Sequence, residues 1–91
     1  MNVVFKVYRN GEFMKGQTWF GKDAAIDCME IEMSCELEDL QKTRPDSQFT
    51  ITIDKEEGIG TIDEYYYDET YKENIWIFDV SKYEVKECIR N

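Results

Sequence analysis

One stretch of about 20 residues, between Gly21 and Pro45, has helical periodicity, while the segments on both sides alternate as strands do. Arg44 precedes Pro45 and is biased away from helical geometry, which ends the helix there. Five large apolar side chains fall in one stripe of this helix: Ile26, Met29, Met33, Leu37 and Leu40. This stripe predicts a helix lying across one face of a sheet. The pattern therefore favours a two-layer α+β fold.

Asn10-Gly11 separates two alternating segments and predicts a hairpin with a two-residue type I′ turn. The turn predicts the pairs Arg9/Glu12, Tyr8/Phe13, Val7/Met14, Lys6/Lys15 and Phe5/Gly16. The expected core face consists of Val3, Phe5, Val7, Met14 and Phe20. The opposite face would consist of Lys6, Tyr8, Phe13, Lys15 and Trp19. A lysine opposite a lysine is unfavourable unless an acidic group lies nearby.

Three further strands are expected after the helix, over residues 47–54, about 59–67 and 74–80. The last of these is a near-continuous apolar run, typical of a central strand. A capping box from Ser81 to Glu84 favours a short helix over residues 82–90, although alternation in this segment also fits a strand. The sequence thus predicts one α+β domain over residues 1–91, with about five strands in an antiparallel-rich sheet. The predicted order is ββαβββ with a possible short C-terminal helix.

A second, small-residue stripe lies nearly opposite the large stripe of the helix and consists of Ala24, Cys28, Ile31 and Cys35. Two apolar stripes are unusual on a helix whose outer face is fully solvated. The C-terminal segment or a second subunit could cover the small stripe, so it is a candidate homodimer interface. The Tyr8, Phe13 and Trp19 face is the other candidate.

The chain has 11 basic residues, 20 acidic residues and no His, which gives a net charge of −9. This charge argues against nucleic acid and anionic membranes as direct partners, because both require clustered Lys and Arg. The absence of His removes the commonest general base and metal ligand. We therefore expect no metal and no cofactor. The charge is uneven, since residues 1–22 have four basic residues and one acid, whereas the remainder has a net charge of −12.

The three cysteines are an odd number, which is a poor disulfide framework. Cys28 and Cys35 would lie roughly 10.5 Å apart along a helix, too far for a bridge. Free thiols, with no readable signal peptide and no long apolar run, predict a cytoplasmic protein. No His can activate a thiol, and neither of these two cysteines lies at the start of the helix. A carboxylate-dependent enzyme using Asp63-Glu64 and Asp68-Glu69 is the enzymatic alternative, but one sheet and one helix offer little pocket depth.

Residues 54–73 contain eight acids and two lysines interleaved with four tyrosines. Carboxylates among tyrosines can form an anionic surface that complements a basic, nucleic-acid-binding groove, as a nucleic-acid mimic does. The predicted partner-binding residues are Asp63, Glu64, Tyr65, Tyr67, Asp68 and Glu69. An ordinary solvated hairpin is the alternative interpretation.

The strand over residues 3–8, the Asn10-Gly11 turn, Phe13 and Phe20 form one part of a recurrent layout. The helix start at 23–26 and the segment 44–51 complete it. This ββαβ pattern resembles small cytosolic proteins of phages and mobile elements, among them acidic inhibitors of host defence such as anti-CRISPR proteins. The resemblance implies a non-enzymatic inhibitor that occludes a basic surface of a host protein.

Overall fold

The computed structural model describes residues 2–90 as one five-stranded antiparallel sheet with one helix across it. The elements are β1 (Val3–Arg9), β2 (Glu12–Trp19), α1 (Lys22–Thr43), β3 (Gln48–Asp54), β4 (Ile59–Asp68) and β5 (Glu73–Ile89). The strand order in the sheet is β2-β1-β5-β4-β3. The predicted two-layer α+β fold and the order ββαβββ are confirmed. We call the sheet face away from α1 the open face.

The core lies between α1 and the sheet, and α1 contacts all five strands. The large stripe of the helix faces the sheet as predicted, since Ile26, Met29 and Met33 are buried and Leu40 packs against them. The buried core cluster consists of Val7, Ala25, Ile26, Met29, Met33, Ile62, Tyr83 and Val85. A Cβ on Gly60 would lie 2.4 Å from the Met33 sulfur, so a larger residue in this position of β4 would require the buried Met33 side chain to shift.

The C-terminal segment is a strand, and the predicted helix over residues 82–90 is wrong. Residues 83–89 of β5 pair with seven consecutive residues of β1. Tyr83 and Val85 enter the core from this strand, and Ser81, the expected helix cap, is buried. The capping box is a local signal, whereas pairing with β1 and burial against α1 are long-range and outweigh it.

The β1–β2 hairpin leaves the predicted register after its first two pairs. Arg9/Glu12 and Tyr8/Phe13 form as predicted, but Lys6 then pairs with Thr18. Gly16 has a φ of +86° in this irregular stretch, a left-handed conformation that glycine adopts without steric cost. The predicted pairs that do not form are Val7/Met14, Lys6/Lys15 and Phe5/Gly16.

The irregular stretch around Gly16 is a β-bulge, and it reverses which side chains at the end of β2 face the core. One residue of β1 but four of β2 lie between consecutive pairs, so three extra residues shift the alternation by an odd number. Trp19 therefore lies opposite Phe5 and packs against the core instead of facing away from it. Phe20, expected in the core, is 76% exposed.

The molecule is elongated, with dimensions of 58 × 23 × 18 Å. Its radius of gyration is 15.5 Å, whereas a compact chain of this length would have about 12 Å. The excess length comes from the β4–β5 hairpin, which extends past its neighbours in the sheet.

Candidate interaction surface on the β4–β5 arm

The β4–β5 hairpin continues where the flanking strands have ended. On one side, β3 accompanies β4 only as far as Tyr65. On the other side, β1 pairs with β5 only from Tyr83 onward. We call residues 63–80 the arm. Residues 63–65 still pair with β3, and from Tyr66 onward the arm is a two-stranded ribbon that projects beyond the five-stranded part of the sheet.

The arm exposes an unusual amount of apolar side chain. Its exposed large apolar residues are Tyr66, Tyr67, Tyr71, Trp76, Ile77 and Phe78. Tyr71 is 73% exposed and Trp76 is 53% exposed. Single exposed apolar residues are ordinary, whereas several of them close together on one ribbon indicate a candidate interaction surface.

Pairing across the arm distributes these side chains over both of its faces. Tyr65 pairs with Trp76 on the open face, while Tyr66 pairs with Ile75 on the face that continues the helix side. The register shifts twice within β5, where Val80 and Ile77 are skipped in the pairing. Such bulges increase twist and interrupt a strand edge, which disfavours addition of another strand there. The arm is thus better suited to contact through side chains than through its backbone edge.

The predicted partner-binding residues differ in exposure and in their hydrogen-bond partners. Tyr67 and Glu69 are exposed, whereas Tyr65 is half-buried. The half-buried Asp63 accepts a hydrogen bond of 3.3 Å from Trp76 Nε1. The Asp68 carboxylate accepts the backbone N–H groups of residues 70 and 71, at 2.9 and 3.1 Å, and so holds the turn at the tip.

Glu64 does not belong to the exposed surface that the sequence predicts. It is 5% exposed, and its carboxylate accepts hydrogen bonds from the Arg44 guanidinium and from the Ser47 hydroxyl at 2.8 Å. Arg44 also lies 6.0 Å from the centroid of the Phe78 ring. Glu64 therefore fixes the base of the arm to the end of α1, because a buried carboxylate requires such partners.

Sequence reasoning missed Trp76, Ile77 and Phe78 as surface residues. Their apolar run predicts a buried central strand, and β5 is indeed the central strand of the sheet. However, this half of β5 lies in the arm, beyond β1 and outside the core cluster. The acids on both sides of the run, Glu73 and Asp79, were the available signal for exposure.

The small-residue stripe of α1 is not covered by the C-terminal segment, which lies in the sheet. Ala24, Ile31 and Cys35 are exposed, and Cys28 is half-buried where its thiol contacts Gln17. The shallow groove beside Ile31 and Cys35 is rimmed by acids, which are Asp27, Glu30 and Glu38. Glu30 lies 3.5 Å from the Lys55 ammonium and Glu38 lies 4.0 Å from the Lys42 ammonium, so two of these acids are paired with lysines. A dimer through this groove stays a prediction.

The three thiols are free, and the pKa of Cys28 is raised. Burial raises the pKa of Cys28, and the neighbouring Glu32 carboxylate raises it further. A raised pKa leaves this thiol protonated and weakly nucleophilic near neutral pH. Within residues 2–90, no group of three or more Cys, Asp or Glu side chains is arranged to hold a metal ion. Over the same residues, no helix has both the length and the apolar character needed to cross a membrane.

Comparisons with known protein families, with curated proteins and with solved structures give no match.

Proposed function

We propose that this protein is a non-enzymatic binding protein whose arm docks onto a basic surface of another protein. The observation that carries the proposal is the projecting ribbon with six exposed large apolar side chains set among acids. Six acids and one lysine give the arm a net charge of −5. Such a combination provides apolar contact area together with long-range attraction to Lys and Arg.

The side-chain chemistry of the arm suits this role. Tyr and Trp are enriched among the residues that dominate binding energy, since they offer large contact area with few rotatable bonds. The exposed carboxylates of Glu69 and Glu73 flank the turn and are available to a partner. The ion pair between the buried Glu64 and the partly exposed Arg44 holds the base of the arm, so less conformational entropy is lost when a partner binds.

The finer form of the proposal is an inhibitor of phage type that occludes a nucleic-acid-binding groove of a host protein in the cytoplasm. Support comes from the acidic charge, the ββαβ resemblance and the three free thiols. The mechanism is steric and electrostatic: the arm occupies a cationic groove that would otherwise bind phosphates. No bond is made or broken by the inhibitor.

The test compares two arm variants with a matched control. Glu69→Lys/Glu73→Lys reverses two exposed charges without touching Asp68, which holds the turn, and Trp76→Ala removes one apolar anchor. Glu56→Lys/Glu57→Lys makes the same charge change in the turn at the other end of β4. Immobilised wild type and variants are used to enrich proteins from a bacterial lysate, and affinities for the enriched proteins are then measured with purified components.

We expect each arm variant to weaken binding at least tenfold and the control to leave it within about twofold. Short duplex DNA should compete with the arm, and affinity should fall with rising salt. Binding that is equal for all four proteins would refute docking through the arm. Binding that depends on the arm but is unaffected by DNA would refute the occlusion of a nucleic-acid groove.

A further inference from the structure

Two lysines lie directly opposite each other on the open face. Lys6 of β1 pairs with Lys86 of β5 in the sheet register. Lys6 lies 5.2 Å from the centroid of the Phe13 ring, and Lys86 lies 4.7 Å from the centroid of the Tyr8 ring. Within residues 2–90, no carboxylate forms an ion pair with either ammonium group. A like-charge cross-strand pair is unfavourable by itself, so this pair favours an anion from outside the chain.

Two aspartates form the opposite arrangement on the same face. Asp63 of β4 pairs with Asp79 of β5, and the preceding residue of β4, Ile62, lies in the core, so Asp63 is on the open face. A hydrogen bond shared with Asp63, partial desolvation and the repulsion between the carboxylates raise the pKa of Asp79. No Lys or Arg within residues 2–90 forms an ion pair with either aspartate. This pair favours a cation from outside the chain.

The spacing of the two pairs is set by β5, which contributes Lys86 to one and Asp79 to the other. Seven positions of strand correspond to roughly 20 Å once the bulge at Val80 is allowed for. Between them, the Lys82 ammonium lies 3.8 Å from the Glu84 carboxylate, so the centre of the face is locally neutral. The open face therefore has one positive end, one negative end and a balanced middle.

We propose that a second copy of this chain docks on the open face, turned end over end, with each lysine pair against the other copy's aspartate pair. A second copy presents both charge pairs at the required separation, because the same strand sets the spacing in each chain. The two contacts are related by a two-fold axis across β5, so the interface closes at a dimer. Two sheets packed face to face at about 10 Å are a common arrangement.

The dimer rests on the proposed function in one respect, since the arm supplies the aspartate pair. It leaves the tip of the arm, with Glu69, Tyr71 and Glu73, outside the charge contacts. The tip therefore remains available for the basic partner described above.

A charge-swap experiment tests this arrangement. One variant, Lys6→Glu/Lys86→Glu, has negative groups at both ends of the open face. The other, Asp63→Lys/Asp79→Lys, has positive groups at both ends. Each variant should repel its own copies at both contacts, whereas the two variants together should attract at both contacts. Circular dichroism of each variant establishes that it is folded.

Sedimentation equilibrium provides the readout for wild type, each variant and their equimolar mixture. We expect wild type to dimerise, with a dissociation constant that rises at least tenfold when the salt concentration is raised from about 20 to about 500 mM. Over roughly this range the Debye length falls from tens of ångströms to a few, which weakens attraction between the charge pairs. Each variant alone should be monomeric, and the mixture should form a 1:1 dimer. The control Lys42→Glu/Lys55→Glu makes the same charge change with two side chains that are each 72% exposed, and it should dimerise like wild type.

Wild type that stays monomeric to millimolar concentration would overturn the proposal. So would a mixture that stays monomeric, or one that grows beyond a dimer. Loss of the dimer would not refute arm docking, because the Glu69→Lys/Glu73→Lys variant changes only the tip. Trp76→Ala does not separate the two proposals, because Trp76 lies beside Asp63. Conversely, a wild-type dimer with no arm-dependent partner would refute the proposed function and leave this inference standing.

Discussion

Replacing Glu36 with glutamine tests the ionic link between α1 and the sheet. The Arg9 guanidinium donates two hydrogen bonds of 2.9 Å to the Glu36 carboxylate. The Tyr83 hydroxyl donates a further one. Glutamine keeps the size of the side chain but turns an N–H donor toward the Arg9 donors.

The expected loss of stability follows from the charge of the Glu36 carboxylate and the exposure of the two side chains. Hydrogen bonds to charged groups contribute about 1.5–3 kcal/mol each. The Arg9 side chain is 41% exposed, so water replaces part of what is lost, whereas the Glu36 side chain is only 15% exposed. We therefore expect Glu36→Gln to lower the free energy of unfolding by about 2 kcal/mol at pH 7. For a domain of this size, that corresponds to a Tm lower by about 8–16 °C.

The effect should depend on pH in a defined direction. Burial by itself raises the pKa of Glu36, but the hydrogen bonds from Arg9 and Tyr83 outweigh it and hold the pKa below its usual value. The carboxylate therefore contributes its full stabilisation above about pH 4.3, the usual value for Glu, and loses it as pH falls through the lower pKa of the folded state. The difference between wild type and Glu36→Gln should narrow accordingly at acid pH.

Urea denaturation followed by circular dichroism measures both effects. The matched control is Glu38→Gln on the same helix. The Glu38 side chain is 71% exposed and lies 4.0 Å from Lys42, so its loss should cost less than about 0.5 kcal/mol. A Glu36→Gln variant whose free energy of unfolding is within about 0.5 kcal/mol of wild type at pH 7 would show that the Arg9–Glu36 link contributes little. A difference that widens on acidification would show that the ionised carboxylate is not the stabilising form.

Two glycine substitutions test the backbone argument. Gly60→Ala should lower the free energy of unfolding by about 1–3 kcal/mol, because its Cβ would lie 2.4 Å from the sulfur of the buried Met33; an unchanged urea midpoint would show that Met33 moves freely. Gly16→Ala should cost about 1–2 kcal/mol from its φ of +86° alone, since no atom lies within 4 Å of the added Cβ. Lys15→Ala is the control for Gly16, because it changes an exposed side chain in the same stretch at a position without a positive φ, and a loss of stability as large as that of Gly16→Ala would contradict the explanation.

The elements with short-range signals were predictable. The Asn10-Gly11 turn, the large stripe of α1 and the alternation of β3 each depend on residues that are neighbours along the chain. These signals sufficed for the two-layer fold and the element order. The acidic, tyrosine-rich segment was also identifiable as a surface to examine, although Glu64 within it proved to be buried.

The sequence-based predictions were wrong where the conformation of a segment depends on a strand that is distant along the chain. Trp19 and Phe20 exchange faces because of a bulge around Gly16, and glycine at that position gives no sign of how many residues bulge out. The capping box at Ser81 is locally valid but competes with seven pairs to β1. Local propensities are worth tenths of a kcal/mol per residue, so burial and pairing across the whole sheet outweigh them.

One helix on an antiparallel sheet and a strongly acidic, aromatic segment follow from local sequence patterns alone. The projection of that segment as an arm does not, because it depends on where β1 and β3 end beside it. The pairing of Lys6 with Lys86 and of Asp63 with Asp79 is likewise a property of the folded sheet, since each pair joins two different strands. Charge composition is a property of the sequence, whereas the position of each charge on a face is set by strand register.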